Sequence, residues 1–220
     1  TSYMWAWVAG NHVYFHHGPT RSAKEVRDVL GIPYDPDDPI YGTNSDHNQA
    51  EWEHGSHIGF VVCDAYKGYH PLFKSEHIRR AACWAHARRP FKQTQDHDKN
   101  AARVTQAINQ LYKAEKELHK RLAEQHQRNG NLPPHSDVLY AAIAAERQQV
   151  MPPLIANLKV LLTLLQPLYS PEGVIGGAIN YITKRWDEFQ VFIDHGFIPL
   201  DNNTAERAIR PIAVGRKNWL

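Results

Sequence analysis

The sequence has 220 residues, of which 42% are hydrophobic and 22% are charged, and its formal net charge at pH 7 is +2. This length and apolar content suit one large globular domain, or one domain with an insertion, and exclude a chain too polar to bury a core. The charge permits a nucleic-acid partner but does not demand one.

The cysteine count and the apolar runs exclude two further classes of protein. Two cysteines, Cys63 and Cys83, are too few for a disulfide framework. The apolar stretch interrupted by Pro167 is too short to span a bilayer. The N-terminus shows no basic region followed by an apolar signal segment, so we expect a reduced, cytoplasmic setting without a membrane partner.

The N-terminal quarter predicts a β-hairpin, a helix and a long loop. Two runs rich in aromatic and β-branched side chains, residues 3–9 and 12–16, are separated by a Gly-Asn pair, which indicates a two-residue hairpin turn. Residues 20–31 then predict a short helix that stops at a glycine. Residues 32–57 are dense in Pro, Asp, Gly and Asn, which favours a surface loop.

The next segment alternates between strand and helix patterns. Residues 58–64 form a continuous apolar run that ends in Asp64, as expected of a strand buried on both faces. Residues 65–75 predict a short helix, and residues 78–85 predict another strand. The order strand, helix, strand implies a parallel or mixed sheet, with Asp64 where the first of these strands ends.

From Arg88 to about Ile193 the pattern is almost wholly helical. Residues 136–150 begin at a Ser-Asp cap, and residues 152–169 predict a helix that starts with two prolines. Residues 176–196 predict a further helix that ends at a glycine.

A short extended piece then leads into the motif "DNNTAERAIRP", residues 201–211. Asn203 can cap a helix in which Glu206 reaches back to the capping residue, and Arg210 would be the ion-pair partner of Glu206 one turn on. This local explanation needs no catalysis. A second explanation needs another carboxylate at the end of a strand, and Asp64 is such a residue.

Asp64 and Glu206 each stand at a junction between an apolar element and a polar turn, and a sheet could bring them together. Carboxylates that converge in this way bind divalent cations for phosphodiester chemistry, and Mg²⁺ suits such oxygen ligands. Taken alone, each acid is explained more simply, Asp64 by a turn after a strand and Glu206 by helix capping.

Three blocks of the sequence, "CDAYKGY" (63–69), "CWAHARRPF" (83–91) and "PLDNNTAERAIRPIAVGRKNWL" (199–220), closely resemble the transposase of the insertion sequence 66 family, a bacterial DDE transposase. The resemblance implies a ribonuclease H-like core in which three acids hold two Mg²⁺ ions. It also implies DNA strand cleavage at the element ends and transfer to target DNA. By this resemblance Asp64 is the second acid and Glu206 the third.

The resemblance also implies a first acid on a preceding strand, and no Asp or Glu occurs before Glu25. The acids Asp35, Asp37 and Asp38 fall in the Pro-rich segment, which is the wrong context for a ligand on a central strand. We therefore expect the chain to be a fragment, incomplete at both ends and inactive alone.

The order of elements predicts an α/β fold with a mixed sheet and flanking helices, interrupted by a mostly helical insertion, and the resemblance implies that this sheet is ribonuclease H-like. Residues 1–91 would form the first part of the core, residues 92–195 the insertion, and residues 196–220 the last part of the core with the third acid.

Basic residues near both acids predict contacts with DNA phosphates, and the alternative is an ordinary solvated helix face, which explains Arg207 equally well. These residues are Arg88, Arg89, Arg207, Arg210, Arg216 and Lys217. Cys83 and His86 have the spacing of half a zinc site, but no second pair lies nearby in the sequence. We expect instead a buried cysteine and a hydrogen-bonded histidine, with Trp84 in the core.

The sequence thus favours a Mg²⁺-dependent transposase core that works on DNA as a homo-oligomer in a synaptic complex. The alternative is a non-catalytic DNA-binding or assembly fragment of a degraded mobile element, in which the carboxylates are vestigial.

Overall fold

The computed structural model divides the chain into two compact units. The hairpin unit consists of Thr1–Val61, Ala65–Arg80 and Asn203–Leu220, and the helical unit consists of Val62–Asp64 and Ala81–Asn202. The structure describes residues 3–9, 12–18, 25, 59–66, 69, 73, 78–129 and 136–219.

Strand β1 (Tyr3–Ala9) and strand β2 (His12–Gly18) of the hairpin unit form an antiparallel pair. Ala9 lies opposite His12, so two residues join the strands, as the sequence predicts. The turn itself, the loop over 32–57 and most of the predicted helices over 20–31 and 65–75 lie outside the described residues.

Strand β3 (Gly59–Cys63) and strand β4 (Ile78–Ala82) form a second two-stranded sheet. Asp64 follows β3 directly, so the predicted strand before this acid is confirmed. Across the part of the chain that is described, two small sheets accompany a mainly helical structure. The ribonuclease H-like mixed sheet remains a prediction.

Helix α1 (Trp84–Thr94) begins where the sequence predicts the end of a strand. The predicted strand over residues 78–85 is therefore too long, because β4 stops at Ala82. An apolar run without alternation does not distinguish a buried strand from a buried helix. Trp84, Ala87 and Phe91 face the core at helical spacing. Trp84 is fully buried, which confirms its place in the core.

Helix α2 (Lys99–Asn129) and helix α3 (Asp137–Leu165) pack against each other as an antiparallel pair, the α2–α3 hairpin. Asp98 caps α2 by accepting hydrogen bonds from two backbone N–H groups of its first turn. Ser136 caps α3 by accepting from the backbone N–H of Leu139, as its sequence predicts.

Pro152 and Pro153 lie inside α3, so the prediction that they start a new helix is wrong. Because proline has no backbone N–H, the carbonyls of residues 148 and 149 have no helical hydrogen-bond donor. Both prolines and residues 148 and 149 are exposed. Water can hydrate these carbonyls, while the opposite face of α3 stays buried in the core. The apolar anchors on that buried face are Ile143, Met151, Ile155, Leu158, Leu162 and Leu165.

Residues 176–196 do not form one helix, contrary to the sequence prediction. Helix α4 (Val174–Thr183) ends early, turns follow, and a single turn of helix, α5 (Val191–Asp194), comes before Gly196. The carbonyls of Glu188 and Phe189 accept hydrogen bonds from Ala82 N and Trp84 Nε1. These bonds hold the turn segment against β4 and α1.

Within the described ranges, one helical stretch, Asp137–Leu168, is long and apolar enough by composition to cross a membrane. In this structure one face of that stretch packs on α2 and α5, as a core helix does. Helix α6 (Asn203–Trp219) belongs to the hairpin unit, where it packs against β1.

Candidate functional site

Asp64 lies at the end of β3 beside the first turn of α1. Its side chain is 41% exposed, and its Oδ2 atom lies 3.9 Å from Nε2 of His86. The other ring nitrogen of His86, Nδ1, lies 3.2 Å from Sγ of Cys83. The His86 imidazole therefore contacts a buried thiol on one side and lies close to the candidate metal-binding carboxylate on the other.

Cys83 is the capping residue of α1 and is completely buried. Burial raises the pKa of its thiol, although backbone N–H groups, that of Asn202 foremost, act in the opposite direction. The thiol thus stays protonated at neutral pH. The geometry confirms a buried cysteine with a hydrogen-bonded histidine.

Tyr181 and Arg185 border the same region, and sequence reasoning missed both. Burial raises the pKa of Tyr181 to about 12, and the charge of Asp64 adds to this increase. The guanidinium of Arg185 lies 4.9 Å from the centre of the Tyr181 ring. Tyr181 thus lies between the region of Asp64 and the Arg185 guanidinium, which also pairs with Glu188 at 4.0 Å.

A second carboxylate of the helical unit, Asp201, is held by Tyr112 of α2. The Tyr112 hydroxyl donates to Oδ2 of Asp201 at 2.8 Å. Burial first, and then the charge of Asp201, raise the pKa of Tyr112 above its ordinary value. Asp201 also raises the pKa of the Cys83 thiol, which places this carboxylate close to the start of α1.

The predicted DNA-binding residues differ in their surroundings. Arg88 donates to Oδ1 of Asn109 at 2.6 Å and lies 4.7 Å from the centre of the Tyr112 ring. Arg88 is therefore engaged within the helical unit, whereas Arg89 is exposed.

Glu206 lies in the first turn of α6, where the free backbone N–H groups favour a carboxylate. Arg207 and Arg210 are exposed on the same helix, and Arg207 donates to the Thr204 hydroxyl at 3.2 Å. The side chains of residues 216 and 217 lie outside the described part of the structure. Asp64 and Glu206 belong to different compact units, and their convergence stays a prediction.

The chemistry of the donors decides whether a metal fits. Asp64 supplies partly exposed carboxylate oxygens, which are the hard ligands that Mg²⁺ prefers. In the described ranges, however, no group of three or more His, Cys, Asp or Glu side chains is arranged to hold a metal ion. Asp64 thus fits as one ligand of a site that needs further carboxylates.

Comparison with known proteins assigns the chain to a family. The family described as "Transposase IS66 family" matches residues 1–220. Three uncharacterized proteins of Sinorhizobium fredii are also similar. The protein y4hP is 29% identical over 179 residues, covering 73% of this chain and 29% of that protein. The protein y4jD is 28% identical over 189 residues, covering 81% of this chain and 33% of the relative.

The third relative, y4qI, is 30% identical over 169 residues, covering 74% of this chain and 29% of its own length. The chain therefore spans about a third or less of the length of these relatives. No solved structure matches the chain. Since the family match extends over all 220 residues, the chain belongs to the IS66 family of transposases.

Proposed function

We propose that this chain is the catalytic-core portion of a transposase that cleaves a DNA phosphodiester at an element end and joins the freed 3′ hydroxyl to target DNA. The observation that carries the proposal is Asp64, a partly exposed carboxylate at the end of β3 beside His86. The family match supports the reaction class.

In this proposal Asp64 and Glu206 are two of the three acidic ligands of a ribonuclease H-like active site. Two bound Mg²⁺ ions would activate the attacking oxygen and stabilise the leaving oxygen. The work of the protein is to hold the carboxylates close together against their mutual repulsion. In the helical unit, the His86 ring lies 3.9 Å from Asp64 Oδ2, and the Asp64 side chain is 41% exposed, so solvent and a metal ion can reach it.

We further propose that exposed arginines hold the DNA by its phosphates. Arg89, Arg207 and Arg210 are exposed and suit this role, whereas Arg88 is engaged with Asn109 and Tyr112. Phosphate contacts of this kind weaken steeply as salt rises. Element ends, target DNA, a homo-oligomer in a synaptic complex and a cytoplasmic setting belong to the same proposal.

The test uses the complete transposase encoded by the element and labelled DNA of its own ends. Asp64→Asn and Glu206→Gln should each abolish Mg²⁺-dependent cleavage while end binding stays within about twofold of wild type. Glu117→Gln is the matched control, because Glu117 is an exposed acid of α2 whose ion pair with Lys113 measures 3.9 Å. Cleavage by both acid variants at the wild-type rate would refute the proposal. A wild-type protein that binds the ends but never cleaves them would favour a non-catalytic assembly role instead.

A further inference from the structure

Residues 192–202 precede α6 directly, and other parts of the helical unit hold them at several points between residues 192 and 201. The first contact comes from Arg147 of α3, which is 2% exposed. Its Nη1 atom donates to the carbonyls of Phe192, His195 and Ile198 at 2.7, 3.0 and 2.9 Å. Three carbonyls within seven consecutive residues thus converge on a single buried cation.

The same guanidinium is held from its other side by Glu115 of α2. Both carboxylate oxygens of Glu115 accept hydrogen bonds from Arg147. Fork-shaped pairing of this kind fixes the plane of the guanidinium as well as its position. Arg147 therefore links both helices of the α2–α3 hairpin to residues 192–198.

The later part of the segment is fixed at consecutive residues. The Leu200 carbonyl accepts from Trp84 N at 3.0 Å, and Asp201 accepts from the Tyr112 hydroxyl at 2.8 Å. The backbone N–H of Asn202 points to the Cys83 thiol. Helix α6 begins at the next residue, so the last residues before it are held by side chains and backbone of the helical unit.

We propose that Tyr112 is a positioning residue of the transposase. Through its hydrogen bond to Asp201 it fixes the residues that directly precede α6, the helix on which Glu206 lies. This inference rests on the proposed function of Glu206. It gives the α2–α3 hairpin a role in the reaction, because ligands of a catalytic metal site must be held to within about 0.5 Å.

The rate of end cleavage by the complete transposase tests this role. Tyr112→Phe removes only the hydroxyl and should lower kcat roughly tenfold at saturating end DNA, because a small misplacement of a reacting group is costly. The dissociation constant for end DNA should change less than twofold. Tyr169→Phe is the matched control, because the Tyr169 hydroxyl also donates to an aspartate, Asp98, which caps the start of α2. This variant should keep the wild-type kcat.

Conservative replacement of Asp201 separates the bond from the charge. Asp201→Asn keeps an oxygen that accepts from Tyr112 and should reduce kcat less than threefold, whereas Asp201→Ala should be at least as slow as Tyr112→Phe, because it removes the acceptor of this hydrogen bond. The double variant Tyr112→Phe with Asp201→Ala should be no slower than Asp201→Ala alone, because Asp201→Ala already removes the hydrogen bond to Tyr112. An Asp201→Asn variant as slow as Asp201→Ala would overturn the proposal, and so would a Tyr112→Phe variant with the wild-type kcat.

Hydrogen exchange provides a readout that needs no activity. In the 220-residue chain, backbone amides of residues 203–207 should exchange faster in Tyr112→Phe than in wild type or Tyr169→Phe. Equal exchange in all three proteins would overturn the positioning role. Unimpaired cleavage by Glu206→Gln, in contrast, would overturn the proposed function itself, so the two failures are distinguishable.

Discussion

The ion pair between Arg147 and Glu115 is the strongest single test of the helical unit. Arg147 is 2% exposed and Glu115 is 15% exposed, so both charges are largely removed from water. Arg147→Ala leaves the carboxylate without its main partner and also strips three backbone carbonyls of their donor. Breaking a buried pair from one side costs about 3–5 kcal/mol of unfolding free energy.

A matched pair on the same two helices gives the reference value. Arg121 donates to Glu146 at 2.7 Å, but these side chains are 52% and 31% exposed. Solvent screening limits such a pair to about 0–1 kcal/mol. Arg121→Ala should therefore have at most a small effect, although its hydrogen bond is equally short.

The assay is urea unfolding of the 220-residue chain, followed by circular dichroism at 222 nm. With a slope of about 2 kcal/mol per molar urea, Arg147→Ala should lower the midpoint by about 2 M and Arg121→Ala by less than about 0.5 M. The urea midpoint of Arg147→Lys should lie between those of the two alanine variants, because an ammonium group cannot donate to the carboxylate and to three carbonyls at once. Equal midpoints for Arg147→Ala and Arg121→Ala would refute the assignment of a buried, five-bond anchor.

Three further predictions follow from the same structure. The first concerns Glu115: burial opposes its ionisation, but its hydrogen bonds with His119 and Arg147 lower its pKa below the ordinary value of 4.5. The ionised carboxylate therefore stabilises the fold above pH 4.5, and this stabilisation is lost as the pH falls through the lowered pKa. Wild type should therefore lose more unfolding free energy than Glu115→Gln between pH 7 and pH 3, and equal losses in urea titrations would contradict this. Gly176→Ala should lower the free energy of unfolding by about 1–3 kcal/mol, since the new Cβ would lie 2.0 Å from a backbone oxygen. In the adjacent Gly177→Ala variant the new Cβ meets only an ordinary 3.5 Å contact, so this substitution should raise the free energy of unfolding by up to about 1 kcal/mol. Thermal unfolding of the two variants checks their opposite signs, and a shared sign would be the contrary result. Arg207→Ala should weaken binding of end DNA and make the plot of log K against log salt concentration shallower by about one unit of slope, as measured by fluorescence anisotropy. An unchanged slope would place Arg207 outside the DNA interface.

Local signals in the sequence predicted the elements whose causes are local. The Gly-Asn turn between two alternating runs predicted the hairpin of β1 and β2, and the Ser136 cap predicted the start of α3. The apolar run into Asp64 predicted β3 and the position of that acid at its end.

Two of the wrong predictions concern elements whose limits depend on distant partners. Trp84 opens a helix because Leu200 and Phe189, far along the chain, accept its hydrogen bonds. The break between α4 and α5 depends on the bond from Ala82 to the Glu188 carbonyl. No local pattern reports such contacts.

The same reason explains which site residues were missed. Asp64 and Glu206 stand in motifs, whereas Tyr112 and Asp201 are 89 positions apart and meet only in the folded unit. The sequence around a tyrosine on an amphipathic helix does not indicate which distant residue accepts the hydrogen bond of its hydroxyl. The buried Arg147 is hidden in the same way, because its acceptors lie 32 to 51 positions away.

The central claim is that Asp64 and Glu206 hold the catalytic metal ions, and counting bound ions tests it most directly. Mn²⁺ replaces Mg²⁺ at oxygen-rich sites and is visible by electron paramagnetic resonance. We predict that the complete transposase, bound to its own end DNA, binds two Mn²⁺ ions per active site, and that Asp64→Asn and Glu206→Gln each lose at least one without losing the DNA. Full Mn²⁺ binding by both variants would contradict the account.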